Sequence, residues 1–194
     1  MDKLSVNQQG GTIAIRALKV VEDTSIGDSI AINGVCLTIR ELSDDHFEMD
    51  VMPETIRCTN IALLKRGSKV NMERAVSYDS RLGGHVLTGH IDAIGIVRSR
   101  YTEGRAVWIG IESNHTSNVV PKGPIAIDGV SLTVSKLMKG LIWVSLIPQT
   151  LDITTLSDLR IGDRCNIEYD IFSKYAMADE GEKLTMNKLI ESGF

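Results

Sequence analysis

Two short segments each carry a small nucleophilic side chain followed, two residues later, by a threonine. The first reads INGVCLT and holds Cys36 and Thr38; the second reads IDGVSLT and holds Ser131 and Thr133. Residues two apart on a strand lie on the same face of the sheet, so each pair could line one side of a pocket. A threonine on a strand face is also an ordinary β-former, and that interpretation stays open.

A glycine-rich segment, GGHVLTGHID, lies between these motifs and contains His85 and His90. Imidazole titrates near neutral pH, so either histidine could transfer protons. Their spacing of five does not match the i, i+4 pair of a helical metal site, and no carboxylate or thiol cluster completes such a site. The segment therefore favours acid–base chemistry over a metal, although a purely structural histidine would explain each one.

The sequences MPET at 52 and IPQT at 147 form a third repeated motif. Proline ends a strand or marks an edge. The threonines that follow, Thr55 and Thr150, could hydrogen-bond a ligand or equally belong to the next helical turn. The chain has no phosphate-binding glycine loop and no GxSxG motif, so a nucleotide cofactor has no support.

All three motifs belong to one internal repeat, in which a shift of 95 residues carries 30–73 onto 125–168 without a gap. A unit this long that occurs only twice indicates a duplicated domain rather than a solenoid. Within the copies, short β-branched and aromatic runs are separated by turn signals, of which Asn-Gly at 33 and Asp-Gly at 128 are the strongest. The pattern predicts two small sandwich-like or barrel-like domains.

The elements that position these motifs are predicted as short strands and short helices. Strands are predicted at 29–32, 47–52, 107–111 and 143–147. One helical turn is predicted after each of two threonines, at 59–64 and 154–159. The tail 180–192, with Leu184, Lys188 and Leu189 at helical spacing, predicts a short amphipathic helix.

Composition excludes several classes of protein. The net charge is -4 over 194 residues, and no Lys/Arg run predicts nucleic-acid binding. No apolar stretch is long enough to span a bilayer, and residues 1–10 lack the layout of a secretory signal. Cys36, Cys58 and Cys165 are widely separated and form no CxxC motif, so they predict neither a disulfide framework nor a zinc site. Reduced thiols in a cytoplasmic protein are the expected interpretation.

The motifs INGVCLT, VMPETIRCTN, GGHVLTGHID, VPKGPIAIDGVSLTV and LIPQTLDITTL resemble those of the riboflavin synthase family, from about Thr12 to the end of the chain. The resemblance implies an all-β fold of two tandem six-stranded Greek-key β-barrels with a C-terminal α-helix. It divides the chain into an N-terminal barrel at 1–85, a C-terminal barrel at 86–172 and a trimerisation helix at 173–194.

The resemblance also implies the reaction. One molecule of 6,7-dimethyl-8-ribityllumazine transfers a four-carbon unit to a second, giving riboflavin and 5-amino-6-ribitylamino-pyrimidinedione, without a cofactor or metal. The working site pairs the N-terminal barrel of one subunit with the C-terminal barrel of its neighbour in a homotrimer. Lumazine synthase is an implied partner; nucleic acid and membrane are not.

By resemblance, four residues are candidates for the chemistry: His90 for proton transfer, Asp128 and Ser131 for nucleophile addition, and Cys36. The implied substrate-binding residues are Ser29, Thr38, Asp50, Met52, Thr55, Lys122, Thr133, Ile147 and Thr150.

The chain departs from the family at its start. The family begins with a Met-Phe-Thr-Gly segment whose Phe enters the active site, whereas this chain begins Met-Asp-Lys-Leu. About a dozen residues are expected to be absent, the size of one strand and its turn. An exposed edge or gap in the first barrel and reduced or lost turnover are therefore predicted.

A non-catalytic binder resembling lumazine protein is the alternative function. Such binders retain fewer of the polar site residues in the second repeat. Cys36, His90, Ser131 and Thr133 are all present here, which favours the enzyme.

Overall fold

The computed structural model describes residues 1–77, 79, 81–114 and 116–179. The strands are β1 (Lys3–Asn7), β2 (Gly10–Arg16), β3 (Ser29–Ile32), β4 (Val35–Leu42), β5 (His46–Val51), β6 (Met72–Arg74), β7 (Ala93–Glu103), β8 (Ala106–Glu112), β9 (Pro124–Ile127), β10 (Val130–Met138), β11 (Leu141–Leu146) and β12 (Arg164–Tyr169). The helices are α1 (Pro53–Cys58), α2 (Pro148–Ile153) and α3 (Ile171–Asp179), and two 3₁₀ turns span Asn60–Leu63 and Thr155–Asp158. The predicted strands are confirmed to within two residues at each end.

The repeat of the sequence is also a repeat of the structure. Strands β3 and β5, helix α1 and the first 3₁₀ turn recur at the same shift as β9, β11, α2 and the second 3₁₀ turn. Each 3₁₀ turn begins after a threonine, Thr59 or Thr154, whose side chain accepts a backbone N–H two residues on. The two predicted threonine-capped turns are therefore confirmed.

The second domain is a closed antiparallel barrel with strand order β10-β11-β8-β7-β12-β9. Closure depends on β7, which is 11 residues long and has two partners. Its first residues, from Ala93 to Ile96, pair with β12, and the stretch from Ile96 to Glu103 pairs with β8. The predicted barrel is confirmed for this domain.

The first domain is a six-stranded sheet of order β1-β2-β5-β4-β3-β6, in which β1 pairs only with β2. Strand β1 is 5 residues long, and the described residues contain no counterpart of the part of β7 that pairs with β12. A first strand is thus present and pairs with β2, and the prediction that it is missing is wrong. The predicted gap lies between β1 and β6. Beside it, Met1 accepts a hydrogen bond from Gly67, as Val97 does from Gly162 in the second domain.

Each domain has its own apolar core, and alternation of buried and exposed residues is clearest in the first domain, along β4 and β5. In β4, Leu37 and Ile39 are buried while Cys36 and Thr38 face outward. Burial of each such aliphatic side chain contributes roughly 1.5–3 kcal/mol. The inner face therefore stabilises the fold and leaves the outer face free for polar side chains.

The two domains meet through their matching hairpins. The backbones of Gly34 and Gly129 approach so closely that a Cβ on either would lie within 3 Å of the other's backbone nitrogen. Both glycines have positive φ, 80° and 77°, as type I′ turns require. A side chain at either position would separate the domains.

Polar groups surround this glycine contact in reciprocal pairs. Asn166 donates to the Asn33 carbonyl, and Asn71, its counterpart in the first domain, donates to the Asp128 carbonyl. A second reciprocal pair involves the backbone: the Asn60 N–H donates to Asn166 Oδ1, and the Thr155 N–H donates to Asn71 Oδ1. An approximate twofold axis therefore relates the two domains.

The predicted tail helix at 180–192, with Leu184, Lys188 and Leu189, lies outside the described residues. Helix α3 precedes it directly and exposes Phe172 and Tyr175. Among the described residues, no helix combines the length and apolar character needed to cross a membrane.

Candidate functional site

The first candidate pocket lies on the outer face of β4. Cys36 and Thr38 are both exposed on this face, as the spacing predicts. The antiparallel register pairs Thr38 with Ser29 of β3. The catalytic candidate Cys36 and the predicted substrate contacts Thr38 and Ser29 therefore share one patch.

The end of β5 and the start of α1 border this patch. The register that pairs Ile39 with Met49 brings Asp50, one residue further on, beside Thr38. Asp50 accepts a hydrogen bond from Arg40 at 3.1 Å, which fixes its carboxylate at the surface. Met52 precedes α1 and is 57% exposed, so its side chain is free to contact a flat ring.

The repeated motif, MPET in the first domain and IPQT in the second, contains the start of a helix in each. Proline occupies the first turn of α1 and of α2, which suits its fixed φ. The carbonyls of Thr55 and Thr150 accept hydrogen bonds from the hydroxyls of Thr59 and Thr154, each at 2.6 Å. Both residues thus help to position the following turn, and a ligand contact by their side chains stays a prediction.

The second candidate pocket lies on the matching face of β10. Thr133 is exposed and pairs with Pro124, while Ser131 is half-buried and pairs with Ala126. Ile147, which precedes α2, is 57% exposed. Lys122 is exposed at a positive φ of 69°, and its N–H bonds the Val134 carbonyl at the start of the same strand pair.

The segment 81–92, called the linker below, crosses both candidate pockets. At Gly84 it lies against Ser131, whose Oγ would be 2.7 Å from a Cβ at that position. At Gly89 it lies against Cys36, where a Cβ would overlap the Cys36 Cβ. The Gly89 carbonyl also accepts the Cys36 N–H at 3.0 Å. The linker therefore contacts the Ser131 motif at Gly84 and the Cys36 motif at Gly89, five residues further on.

His85 is the histidine that contacts a predicted catalytic residue. Its Nδ1 lies 2.7 Å from Ser131 Oγ. Its Nε2 is buried and has no hydrogen-bond partner among the described residues. Burial lowers the pKa of His85, and the carboxylates of Asp170 and Glu168 oppose that shift. The imidazole is consequently neutral at neutral pH and can accept a proton from the Ser131 hydroxyl.

His90 lies at the other end of the linker, directly after Gly89, and is exposed. Two contacts hold the chain on either side of it. Gly89 N–H donates to Glu168 at 3.1 Å, and Asp92 accepts the Tyr169 N–H at 2.8 Å. His90 thus projects from a fixed stretch of backbone next to Cys36.

Asp128 does not lie beside the outer-face residues. It is 4% exposed, and its Oδ1 accepts hydrogen bonds from Asn60 Nδ2 at 3.0 Å and from Asn166 N–H at 2.8 Å. Burial raises the pKa of its carboxyl to about 7, and these two bonds oppose the rise. The geometry favours a structural role in the contact between the domains, and the catalytic role stays a prediction.

Sequence reasoning overlooked Glu168, which carries the linker. Its carboxylate is 2% exposed and bonds the backbone of Thr88 and Gly89. The only sequence signal was its repeat partner Glu73, which is exposed on β6. A repeat identifies equivalent strand positions, but it cannot show that a linker covers one of them.

Comparison with known proteins gives the same assignment over both domains. The lumazine binding domain family matches residues 4–75 and 88–170. Riboflavin synthase of Bacillus subtilis is 41% identical over 165 residues, which cover 84% of this chain and 77% of that protein. Riboflavin synthase of Mycobacterium tuberculosis is 44% identical over 169 residues, covering 84% of each.

Solved structures agree. A crystal structure of LumP complexed with 6,7-dimethyl-8-(1'-D-ribityl) lumazine has a TM-score of 0.77 and 26% identity, and covers 86% of this chain and 92% of that chain. LumP complexed with riboflavin has a TM-score of 0.78 and 28% identity, with coverage of 87% and 92%. Because the family match and the curated relatives each extend over most of the sequence, this chain belongs to the riboflavin synthase family, built from two lumazine-binding domains.

Proposed function

We propose that this protein is a riboflavin synthase, a transferase that converts two molecules of 6,7-dimethyl-8-ribityllumazine into riboflavin and 5-amino-6-ribitylamino-pyrimidinedione. One observation carries the proposal: two equivalent strand motifs, at Cys36 and at Ser131, are each covered by a different end of one histidine-bearing linker. Two similar pockets with unlike surroundings suit a reaction between two identical molecules that take different roles.

Proximity is the main catalytic device in this proposal. Two substrates held face to face react as if in one molecule, which removes most of the entropic barrier. The 7-methyl group of the lumazine is acidic because its carbanion is delocalised over the ring. Modest acid–base help therefore suffices, and no metal or cofactor enters the mechanism.

Ser131 and His85 form the pair best placed to add a nucleophile to ring carbon 7. The hydroxyl donates to the neutral imidazole across 2.7 Å, so the proton moves to Nδ1 as the oxygen adds to the ring. His90 is the proposed proton carrier at the first pocket, next to Cys36. Cys36 and Asp128 stay candidates for the chemistry, and the remaining residues of the two patches are proposed to contact the substrates.

The proposed assembly is a homotrimer whose working site joins the first domain of one subunit to the second domain of another. Phe172 and Tyr175, both 71% exposed on α3, support an association through this helix because they leave a large apolar surface uncovered. We also propose a cytoplasmic location, domain boundaries at 85/86 and 172/173, and an association with lumazine synthase.

The test is to mix the protein with 6,7-dimethyl-8-ribityllumazine and to follow flavin absorbance and lumazine fluorescence together. Growth of flavin absorbance with consumption of two lumazines per flavin is expected. Bound, fluorescent lumazine without any flavin would instead identify a binder like LumP.

A further inference from the structure

Glu168 of β12 points out of the second barrel but is buried by the linker. Its Oε1 accepts hydrogen bonds from the Thr88 N–H at 2.6 Å and from the Thr88 hydroxyl at 2.7 Å. Its Oε2 accepts the Gly89 N–H at 3.1 Å. Three donors from two consecutive residues therefore converge on one carboxylate.

These bonds fix the backbone that meets the first domain. Gly89 receives the Cys36 N–H on its carbonyl while its own N–H is held by Glu168. The contact leaves no room for a side chain, since a Cβ on Gly89 would overlap Cys36. A carboxylate of the second domain is thus connected through a single residue, Gly89, to the β4 face of the first domain.

A second anchor lies two residues beyond His90. Asp92 accepts the Tyr169 N–H at 2.8 Å and pairs with Lys174 at 3.0 Å. Both anchors come from 168–174, the end of β12 and the start of α3. With its backbone held on both sides, His90 has little freedom except in its own side-chain rotamers.

The repeat shows that the fold itself does not require this buried acid. Glu73 of β6 is the counterpart of Glu168 and pairs with Ala31 as Glu168 pairs with Ala126. Glu73 is exposed. Burial of a carboxylate is costly unless hydrogen bonds compensate for it, and only the copy that holds the linker bears that cost.

We propose that Glu168 is a positioning residue of the reaction, which holds Thr88 and Gly89 so that His90 faces the Cys36 pocket in one fixed arrangement. The inference rests on the proposed function, because it assigns Glu168 an effect on turnover through His90. It also means that the second domain completes the pocket of the first.

Glu168→Gln is the sharpest test, with Glu73→Gln as the matched control. A glutamine offers one oxygen and one NH₂, so an N–H must face either the Thr88 or the Gly89 N–H. Misplacement of a reacting group by about 1 Å can cost about 100-fold. We expect Glu168→Gln to lower kcat by about 10- to 100-fold with KM changed less than about threefold, and Glu73→Gln to change neither.

A double-mutant cycle and hydrogen exchange separate positioning from loss of folding. In a His90→Ala background, Glu168→Gln is expected to lower kcat further by less than about twofold, because coupled residues are not additive. Amide exchange of the linker should rise in Glu168→Gln while the barrel strands stay protected. Should Glu168→Gln not fold, Thr88→Val removes only the hydroxyl donor and is expected to lower kcat several-fold at unchanged KM.

Three results would overturn the proposal: kcat of the foldable variant within about twofold of wild type, full additivity with His90→Ala, or an equal loss in Glu73→Gln. If the wild-type protein makes no riboflavin, the proposed function fails by itself. Hydrogen exchange then decides the anchoring alone, and unchanged exchange at Thr88 and Gly89 in Glu168→Gln would refute it.

Discussion

Asp128 places a carboxyl group inside the contact between the domains, and Asp128→Asn measures what that burial costs. The Oδ1 atom keeps its two acceptor roles toward Asn60 and Asn166 in the variant, since an asparagine oxygen can take the same position. Asn33 occupies the equivalent hairpin position in the first domain and is equally buried. An amide therefore fits this turn without a change of backbone.

The sign and size of the effect follow from the pKa. Burial raises the pKa of the Asp128 carboxyl from 3.8 to about 7, so the folded protein keeps a proton that the unfolded chain releases. The resulting contribution to stability is fully present below pH 3.8 and is lost as the pH rises through about 7. The interval between these two values corresponds to about 4 kcal/mol.

Asp128→Asn carries no such proton linkage. We therefore expect the stability of the variant relative to wild type to increase by about 2–3 kcal/mol between pH 5 and pH 8. Urea unfolding at both pH values measures the difference. Tryptophan fluorescence is a suitable signal because both tryptophans, Trp108 and Trp143, lie in the second domain, which also contains Asp128. Asp158→Asn, an exposed change in the same cleft between the domains, is the control and should show no such trend. A wild-type-to-variant difference that stays constant with pH would refute the burial argument.

Further predictions concern the linker and the residues that it contacts. His90→Ala should lower kcat at least about 100-fold with lumazine binding retained; unchanged flavin formation would remove His90 from the mechanism. Ser131→Ala and His85→Gln should each lower kcat, and the double variant should be no slower than the worse single one, as expected of residues that act as a unit. Because burial lowers the pKa of His85, the acid limb of the kcat profile should lie below pH 6.5, and a limb above that value would contradict the assignment. Gly89→Ala should destabilise the protein by about 2 kcal/mol through overpacking, whereas Gly83→Ala, which meets open space, should change stability by less than about 0.5 kcal/mol; equal thermal shifts would argue against the close approach.

Most of the fold could be predicted because the duplicated motifs contain their own local signals. The Asn-Gly and Asp-Gly turns both adopt positive φ, at 46° for Asn33 and 45° for Asp128. Alternation along β4 separates the buried Leu37 and Ile39 from the exposed Cys36 and Thr38, and β10 repeats the exposed threonine and buried aliphatic residue at Thr133 and Val134. These features depend on neighbours in sequence, which is why they appear correctly in both copies.

Barrel closure could not be derived in the same way. It depends on how far one strand extends past its neighbour, as β7 does when it reaches β12. The residue types in β1 do not show that, among the described strands, it pairs with β2 alone. The family resemblance predicted that the first strand is missing, whereas β1 is present and forms one edge of the sheet.

The outer-face patches were predicted, whereas the partners of the individual polar groups were not. His85 and His90 look alike in sequence, yet one bonds Ser131 and the other is exposed. Asp128 resembles a site residue because it is three residues before Ser131, but its carboxylate turns toward Asn60 of the other domain. Side-chain direction across a domain contact depends on the docking of two surfaces, and one strand's pattern contains no information about it.

The linker, rather than the strands, makes the two domains chemically different. The hairpin contact is reciprocal, with Gly34 and Gly129 in equivalent positions. The linker cannot share this twofold symmetry, because a rotation that exchanges its two ends would reverse its N-to-C direction. It therefore meets the equivalent residues Cys36 and Ser131 in unlike ways: a backbone hydrogen bond to one, and a histidine bonded to the other. A reaction between two identical substrates needs one donor and one acceptor of the four-carbon unit. Gene duplication alone would supply two equal pockets, and the asymmetric path of the linker is what distinguishes them.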